Sequence, residues 1–413
     1  MLEHLESLRL ALLAQKKDVP VVSVSPVVTP PVVAPPIRKW KPLGRDHTDT
    51  SSGVRPVPPP LEPRRIISAM IDLGIPAEGI CGTPIVGPTV TTYIIELQKG
   101  ARVSTIKNKS VDLAFSLGLP KVRVLDYVEG HPGSIGLEVP NITRGLVSFW
   151  SVLAAATEWG KHLPIPLGLD TRGVPVIIHL DTAPHLLIAG KSGSGKSVAV
   201  NSVLAGIAAC TTPEEVAVVI ADPKQVDYQA WADLPHLVTA PAITAEAIAA
   251  VLSYAVDEMD SRNKLLRESG VNCLAAYNAS VSPEMRIPRL VVVIDEYGDL
   301  MVKGSAIRGG SPAAAMTMDI LRIAQVGRAA GVHLVLATQR PTADTVHPTI
   351  KAQTTKIACT VETALDSRVI LDDVGAEKLL GAGDALIKSS SVLTRVQCAW
   401  VSPEDIRNLV AGG

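Results

Sequence analysis

The feature that most constrains this chain is the glycine-rich segment 190–197, which reads Gly-Lys-Ser-Gly-Ser-Gly-Lys-Ser. An apolar run at 185–189, typical of a buried strand, precedes it, and a proline-free apolar run at 197–210, typical of a helix, follows it. Glycines let the backbone N–H groups of such a loop turn toward phosphate oxygens, and the helix dipole adds positive potential there. The pattern therefore predicts a phosphate-binding loop between a strand and a helix.

The predicted loop gives each side chain a role at a bound nucleotide. Lys196 is placed to reach the β and γ phosphates, and the Ser197 hydroxyl is placed to ligate Mg²⁺. We expect ATP and Mg²⁺ as cofactors. The alternative is a Gly/Ser-rich turn that fits the pattern by chance. The residues assigned to nucleotide binding are Gly190, Ser192, Gly193, Ser194, Gly195, Lys196, Ser197 and Val198.

A second apolar run, 290–294, ends in two carboxylates, Asp295 and Glu296. If this run is a strand parallel to the one before the loop, both carboxylates emerge at the same edge of the sheet as the loop. Asp295 is then placed to hold Mg²⁺, and Glu296 to orient and deprotonate an attacking water. Two acids after a strand are also common in surface turns, so the prediction of hydrolysis depends on their pairing with the loop.

Composition limits the classes of partner. The chain has 413 residues, of which 47% are hydrophobic and 19% charged, and its net charge is −1. A nucleic-acid contact therefore requires a local patch or enclosure of the polymer, because the overall charge supplies no basic footprint. No apolar run approaches the roughly 20 residues that span a bilayer, and the N-terminus does not resemble a signal peptide. We expect a cytoplasmic protein with five reduced cysteines.

Four regions follow one another along the chain. Residues 1–17 predict a short helix, either a docking element for a loading or recruiting partner or a frayed terminus. Residues 18–60 form a proline-rich linker. Residues 61–148 predict a small α/β domain, with helices at 64–73 and 103–117 and strands at 89–97, 122–128 and 134–139. Residues 149–413 alternate strands with helices, which predicts an α/β fold with a mostly parallel sheet covered by helices. The strands expected there are 216–221, 290–294, 332–338, 355–361 and 393–400.

Eight segments of the chain have patterns that occur together in one family of motor proteins. Those in the predicted motor are 185–207, 222–224, 234–237, 295–296, 327–341 and 365–372, and those in the small domain are 87–91 and 132–141. With these segments the chain resembles the FtsK/SpoIIIE family of DNA translocases. The resemblance implies a RecA-like P-loop NTPase motor, an N-terminal domain similar to the family's alpha domain, and a hexameric ring, a homo-oligomer that pumps double-stranded DNA.

The resemblance implies further catalytic roles. Arg328, at the end of a predicted helix 313–330, is similar to the arginine that reaches the nucleotide of a neighbouring subunit. Gln339, at the end of the strand 332–338, is similar to a residue that senses the γ phosphate or the attacking water. Arg340 and Arg368 are lesser candidates for nucleotide or subunit contacts. The alternatives are a helix-end arginine, a turn glutamine and paired surface arginines.

DNA contact is expected from three basic residues. Lys303 and Arg308 lie in the glycine-rich segment 301–311 after the predicted carboxylate strand, and Lys351 lies in the segment 348–352. Such residues would touch phosphates and read no bases. The alternative is that these charges are simply solvated.

The departures from the family leave the biological process open. The sequence has none of the membrane-spanning helices of the larger members and no winged-helix module after the motor, so transfer of plasmid or mobile-element DNA fits as well as chromosome segregation. Two other classes remain as alternatives: a secretion-type ATPase that moves a protein substrate, and a nucleotide-gated scaffold with little turnover. The pair Asp295 and Glu296 favours hydrolysis over the scaffold.

Overall fold

The structure is a computed structural model that describes residues 61–155, 163–225, 227–298, 300, 312–342, 345–389 and 392–412. The expected helix 1–17 and the linker 18–60 lie outside these residues, as do Lys303 and Arg308. No helix within the described ranges is both long enough and apolar enough to cross a membrane.

The first folded unit is a four-stranded antiparallel sheet with three helices. Its core includes Ile66 and Met70 of α1, Tyr93 of β2 and Leu113 of α3, all fully buried. The sheet order is β1-β2-β4-β3. The elements are α1 (Pro63–Asp72), β1 (Ala77–Val86), β2 (Val90–Leu97), α2 (Val103–Asn108), α3 (Ser110–Leu117), β3 (Arg123–Leu125) and β4 (Ser134–Pro140).

This unit differs from the sequence prediction in two places. The helix expected over 103–117 is interrupted at Lys109, where the backbone leaves helical geometry, so two short helices replace it. Strand β1 was not predicted, because Gly79, Gly82 and Pro84 interrupt its apolar pattern. Its register shifts against β2 at these positions, so the ladder tolerates the irregularity as bulges.

The second unit is built on a nine-stranded sheet of order β6-β5-β13-β12-β11-β7-β10-β9-β8. Five neighbouring strands, from β11 to β8, are parallel. The other four extend the sheet as antiparallel strands. The strands are β5 (Pro164–Asp170), β6 (Pro175–His179), β7 (His185–Ala189), β8 (Val216–Ala221), β9 (Arg289–Ile294), β10 (Val332–Thr338), β11 (Thr355–Cys359), β12 (Asp384–Ser389) and β13 (Val392–Cys398).

Helices cover both faces of this sheet. On one face α5 and α11 pack over a core that includes Val203 and Leu409, and on the other α6 and α8 pack over a core that includes Met259 and Ile320. The helices are α4 (Phe149–Ala154), α5 (Lys196–Cys210), α6 (Ala245–Glu268), α7 (Leu274–Ser280), α8 (Pro312–Ala330), α9 (Pro348–Gln353), α10 (Ala364–Leu371) and α11 (Pro403–Ala411).

The predicted α/β class and P-loop fold are confirmed, and the strands predicted at 216–221, 290–294, 332–338 and 355–361 form, with β7, the parallel end of the sheet. The antiparallel extension was only partly foreseen. Strand β5 carries Pro164 and Pro166, which weaken a strand pattern, and β12 begins and ends with polar residues. Antiparallel neighbours need no crossover helix, so the alternation of helices and strands does not reveal them.

Candidate active site

The glycine-rich segment forms the turn between β7 and α5, as its pattern predicts. The Gly190 N–H donates to the Thr338 carbonyl at 3.1 Å, and the Lys191 N–H donates to the Thr360 carbonyl at 2.9 Å. These bonds fix the loop to the ends of β10 and β11. Gly193 and Gly195 adopt left-handed φ values of 73° and 101°, which favour glycine. Helix α5 begins at Lys196, so its N-terminus faces the loop.

A second glycine-rich segment packs directly on the loop. The Gly383 N–H donates to the Ser194 carbonyl at 3.0 Å. A Cβ placed on Gly195 would lie only 2.0 Å from the Gly383 nitrogen, so neither backbone leaves room for a side chain there. Glycine is therefore required at 195 by tertiary packing as well as by its own φ.

Asp295 and Lys196 are brought together at the carboxyl edge of the parallel strands. Strand β10 lies between β7 and β9, so the loop after β7 and the acids after β9 emerge at the same edge. The Lys196 ammonium forms a buried ion pair with Asp295 Oδ1. Burial raises the pKa of Asp295, and the lysine offsets only part of that effect. Asp295 Oδ2 is buried and has no hydrogen-bond partner among the described residues.

Glu296 is held on both of its carboxylate oxygens. Its φ of 50° is left-handed, a strained conformation that turns the chain sharply after β9. Oε2 accepts from the Lys224 ammonium at 2.6 Å, and Oε1 accepts from the Thr338 hydroxyl at 3.1 Å and the Gln339 N–H at 3.0 Å. Burial acts to raise the pKa of Glu296, but the hydrogen bonds from Lys224 and Gln339 outweigh it and the pKa is lowered.

Ser197 and Asp227 complete a set of oxygen donors. The Ser197 hydroxyl donates to Asp227 Oδ2 at 2.7 Å. Together with the unpartnered Oδ2 of Asp295, these hydroxyl and carboxylate oxygens are the hard ligands that Mg²⁺ prefers. Within the described ranges no three His, Cys, Asp or Glu side chains form a metal cage by themselves. A donor set this small fits an ion that keeps waters and also binds nucleotide phosphates.

Lys196, Ser197 and Asp227 line a cleft of about 680 Å³. The loop, Lys224 and Gln339 also line it, together with Leu146, Ala382 and Trp400. The structure thus brings together Lys196, Ser197, Asp295, Glu296 and Gln339, as the sequence led us to expect. The individual catalytic and ligand roles of these residues remain predictions.

The other predicted site residues lie elsewhere. Arg328 is exposed at the end of α8 and lines a separate cleft with Arg289 and His333. The Lys351 ammonium pairs with Asp372 at 2.6 Å and also donates to the Arg368 carbonyl at 3.2 Å. Arg340 and Arg368 are exposed side chains. Lys303 and Arg308 fall outside the described residues. The DNA contacts expected of these two residues and of Lys351 stay predictions.

Two residues of this site were not assigned a role from the sequence. Lys224 and Asp227 follow β8, the strand at the end of the parallel series. The sequence did contain a signal for them, because polar residues that directly follow a parallel strand lie at the edge of the sheet where the phosphate loop lies. The pairing of Lys224 with Glu296 and of Asp227 with Ser197 depends on side-chain directions that strand periodicity does not supply.

Comparisons with known proteins agree with this geometry. The model of the FtsK/SpoIIIE family matches residues 153–343, and that of the FtsK alpha domain matches residues 62–141. The DNA translocase FtsK of Haemophilus influenzae is 38% identical over 356 residues, covering 79% of this chain and 65% of that protein. The chain spans 37 to 65% of the length of such relatives.

Two solved structures share the fold. The conjugation coupling protein TcpA of pCW3, a monomer form with ATPγS, superposes with a TM-score of 0.58 at 22% identity, covering 84% of this chain and 99% of that one. The cytoplasmic domain of the type VII secretion ATPase EccC of Thermomonospora curvata gives 0.54 at 24% identity, covering 64% and 34%. A phosphate loop facing two carboxylates is the site of a P-loop ATPase. Because family models match both folded units, the chain belongs to the FtsK/SpoIIIE family.

Proposed function

We propose that this chain hydrolyses ATP to move double-stranded DNA, as a hexameric ring in which each nucleotide site is completed by the adjacent subunit. The observation that carries this proposal is the position of Arg328. It precedes the first residue of β10, whereas the phosphate loop hydrogen-bonds to Thr338, the last residue of that strand.

The distance between Arg328 and the phosphate loop follows from the length of β10. A seven-residue strand extends roughly 20 Å at about 3.3 Å per residue, and β10 runs from Val332 to Thr338. Arg328 therefore lies at the opposite edge of the sheet from its own nucleotide cleft, beyond the reach of one side chain. An exposed arginine there is suited to a nucleotide in a neighbouring subunit, where it would stabilise charge on the transferred phosphate.

The chemistry at the loop follows from the contacts. Lys196 is paired with Asp295, and a triphosphate offers its ammonium a competing anion, so we expect Lys196 to turn toward the β and γ phosphates. Ser197 and Asp295 would hold Mg²⁺, which when bound neutralises phosphate charge. Glu296 accepts the proton of the attacking water, and Gln339 orients that water.

The assignment of DNA as the substrate rests on the relatives and on the charge of the chain. The relatives are named DNA translocases, and the near-neutral chain fits a ring that encloses DNA, because enclosure hinders escape between weak phosphate contacts. We assign Lys303, Arg308 and Lys351 to those contacts, and residues 1–17 to contact with a loading or recruiting partner. We propose that the ring works in the cytoplasm, on chromosomal DNA or on plasmid and mobile-element DNA. We also propose that residues 61–148 form the small domain of this motor protein and residues 149–413 its ATPase domain.

The test is ATP hydrolysis by the purified chain without polymer, with linear duplex DNA and with single-stranded DNA. Glu296→Ala is the control for contaminating activity. We expect duplex DNA to stimulate hydrolysis strongly and single strands to do so weakly. Hydrolysis that is indifferent to DNA would favour a protein substrate, as in the secretion ATPases that share the fold.

The shared site has its own test. Rings mixed from Arg328→Ala and Lys196→Ala chains contain some interfaces with an intact Lys196 and an intact Arg328. We expect these mixtures to recover hydrolysis that neither variant shows alone. Mixtures as inactive as the separate variants would contradict a site shared between subunits.

A further inference from the structure

A buried ion network joins the small domain to the motor. Arg395 of β13 donates to Glu138 Oε2 of β4 at 2.5 Å and to the two oxygens of Asp384 at 2.9 and 2.6 Å. Arg123 donates to both oxygens of Glu138 at 3.3 Å. All but Arg123 are buried, and two guanidiniums compensate two carboxylates. Removing one member would leave a buried charge without its partner, so the network fixes how the two units meet.

Asp384 carries this network to the phosphate loop. It ends the segment 380–384, here called the glycine strap, in which Gly381, Ala382 and Gly383 all have left-handed φ values of 78°, 52° and 90°. Asp384 Oδ2 accepts the Leu380 N–H at 2.8 Å, which closes the strap on itself. The strap then lies against the loop through the Gly383 bond and the close approach at Gly195 described above.

Further bonds from the small-domain side hold the start of the strap. Arg144, which follows β4, donates to the Leu380 carbonyl at 3.0 Å. Lys121 donates to the carbonyls of Glu377 and Leu379 at 2.6 and 3.3 Å. The strap is thus tied to the small domain at its beginning through Arg144 and at its end through Arg395.

We propose that the small domain positions the phosphate loop through Arg395 and the glycine strap, and so sets the affinity of the motor for the triphosphate of its nucleotide. The proposal rests on the nucleotide binding of the proposed function. A loop held in its binding shape loses less conformational freedom when phosphate enters, so loosening the strap weakens binding. Linkage requires the reverse effect as well: bound nucleotide tightens the junction.

The experiment is equilibrium titration of the full chain with a fluorescent, non-hydrolysable ATP analogue and Mg²⁺. Arg144→Ala removes the hydrogen bond from an exposed side chain to the Leu380 carbonyl and leaves the core unchanged. Glu138→Gln keeps the shape of the buried side chain while removing its charge. Lys99→Ala, an exposed residue of the same domain, is the matched control. We expect a Kd raised about 5- to 20-fold in both variants and an unchanged Kd in the control. Arg144→Lys keeps a charged donor and should have a Kd close to that of the parent chain.

Two further measurements separate positioning from structural damage. Thermal unfolding of Arg144→Ala should match the parent chain, and hydrogen exchange at the Gly383 amide should slow when the analogue binds the parent but less so in Glu138→Gln. An unchanged Kd in both variants of a chain that binds the analogue would overturn the proposal alone. A parent chain that binds no analogue would overturn the proposed function and this inference together.

Discussion

The ammonium of Lys224 lies 2.6 Å from Oε2 of Glu296. This contact sets a cation from the end of β8 on the carboxylate expected to deprotonate water, and it lowers the basicity of that carboxylate. Lys224 also lines the nucleotide cleft. The same side chain therefore contacts the carboxylate and borders the cleft, and the effect of its charge should be visible in the pH dependence of hydrolysis.

Lys224→Met should move the acid limb of the pH profile of kcat to higher pH. The reason is that Glu296 without its cation has a higher pKa and is protonated, hence inactive as a base, over a wider acidic range. Lys224→Arg keeps the charge and should keep the limb in place. Profiles of the parent, Met and Arg chains that coincide would show that Lys224 does not tune Glu296.

Asp227→Asn should raise the Mg²⁺ concentration needed for half-maximal hydrolysis. Asp227 accepts from the Ser197 hydroxyl at 2.7 Å and so orients a predicted metal ligand. Loss of a side chain that orients a metal ligand typically weakens metal binding by about 10- to 100-fold. Asp233→Asn, at an exposed carboxylate, is the control. If both variants need the same Mg²⁺ as the parent, Asp227 has no part in the metal site.

Lys196→Ala and Glu296→Gln should separate binding from chemistry. Loss of Lys196 removes the cation for the phosphates, so nucleotide binding itself should fail in a filter or fluorescence assay. Glu296→Gln keeps the shape of the side chain and should bind nucleotide normally while its hydrolysis falls by about 10²- to 10⁴-fold. Equal loss of binding in both variants would contradict these roles.

Gly195→Ala should lower the free energy of unfolding more than Gly173→Ala does. Both glycines have left-handed φ values, 101° and 80°, so alanine costs about 1–2 kcal/mol at either position. A Cβ at 195 would also meet the Gly383 nitrogen at 2.0 Å, whereas a Cβ at 173 meets nothing within 4 Å. Denaturant unfolding of the two variants measures the difference. Equal losses would mean that the glycine strap gives way without cost.

Acid should destabilise the motor below pH 6.5 because buried histidines must charge as it unfolds. Burial lowers the pKa of His185 to about 4 and that of His333 to about 3. Between these values and 6.5 the unfolded chain binds more protons, so the free energy of unfolding falls as the pH falls. Each histidine contributes about 1.4 kcal/mol per pH unit in that window. Denaturant unfolding from pH 7.5 to 5 should give a shallower slope for His333→Gln than for the parent. Equal slopes would show that His333 is not protonated on unfolding in this range.

Local sequence was sufficient for the parts of this protein that depend on neighbours along the chain. The glycine pattern at 190–197 requires a loop because only glycine accepts φ values such as 101° at Gly195 without strain. Apolar runs predicted β8, β9 and β10 almost to the residue, because a buried parallel strand is apolar on both faces. The two carboxylates after β9 were placed at the site for the same reason.

Tertiary structure alone decided which side chains meet across the chain. Lys224 reaches Glu296 and Arg395 reaches Glu138 over long sequence separations, through strand order and side-chain direction that no local period encodes. The antiparallel strands β5, β6 and β12 were missed because hairpin neighbours gain their stability from partners rather than from their own sequence pattern. The need for glycine at 195 shows both origins: its φ was readable from the motif, whereas its contact with Gly383 arises only when β12 joins the sheet.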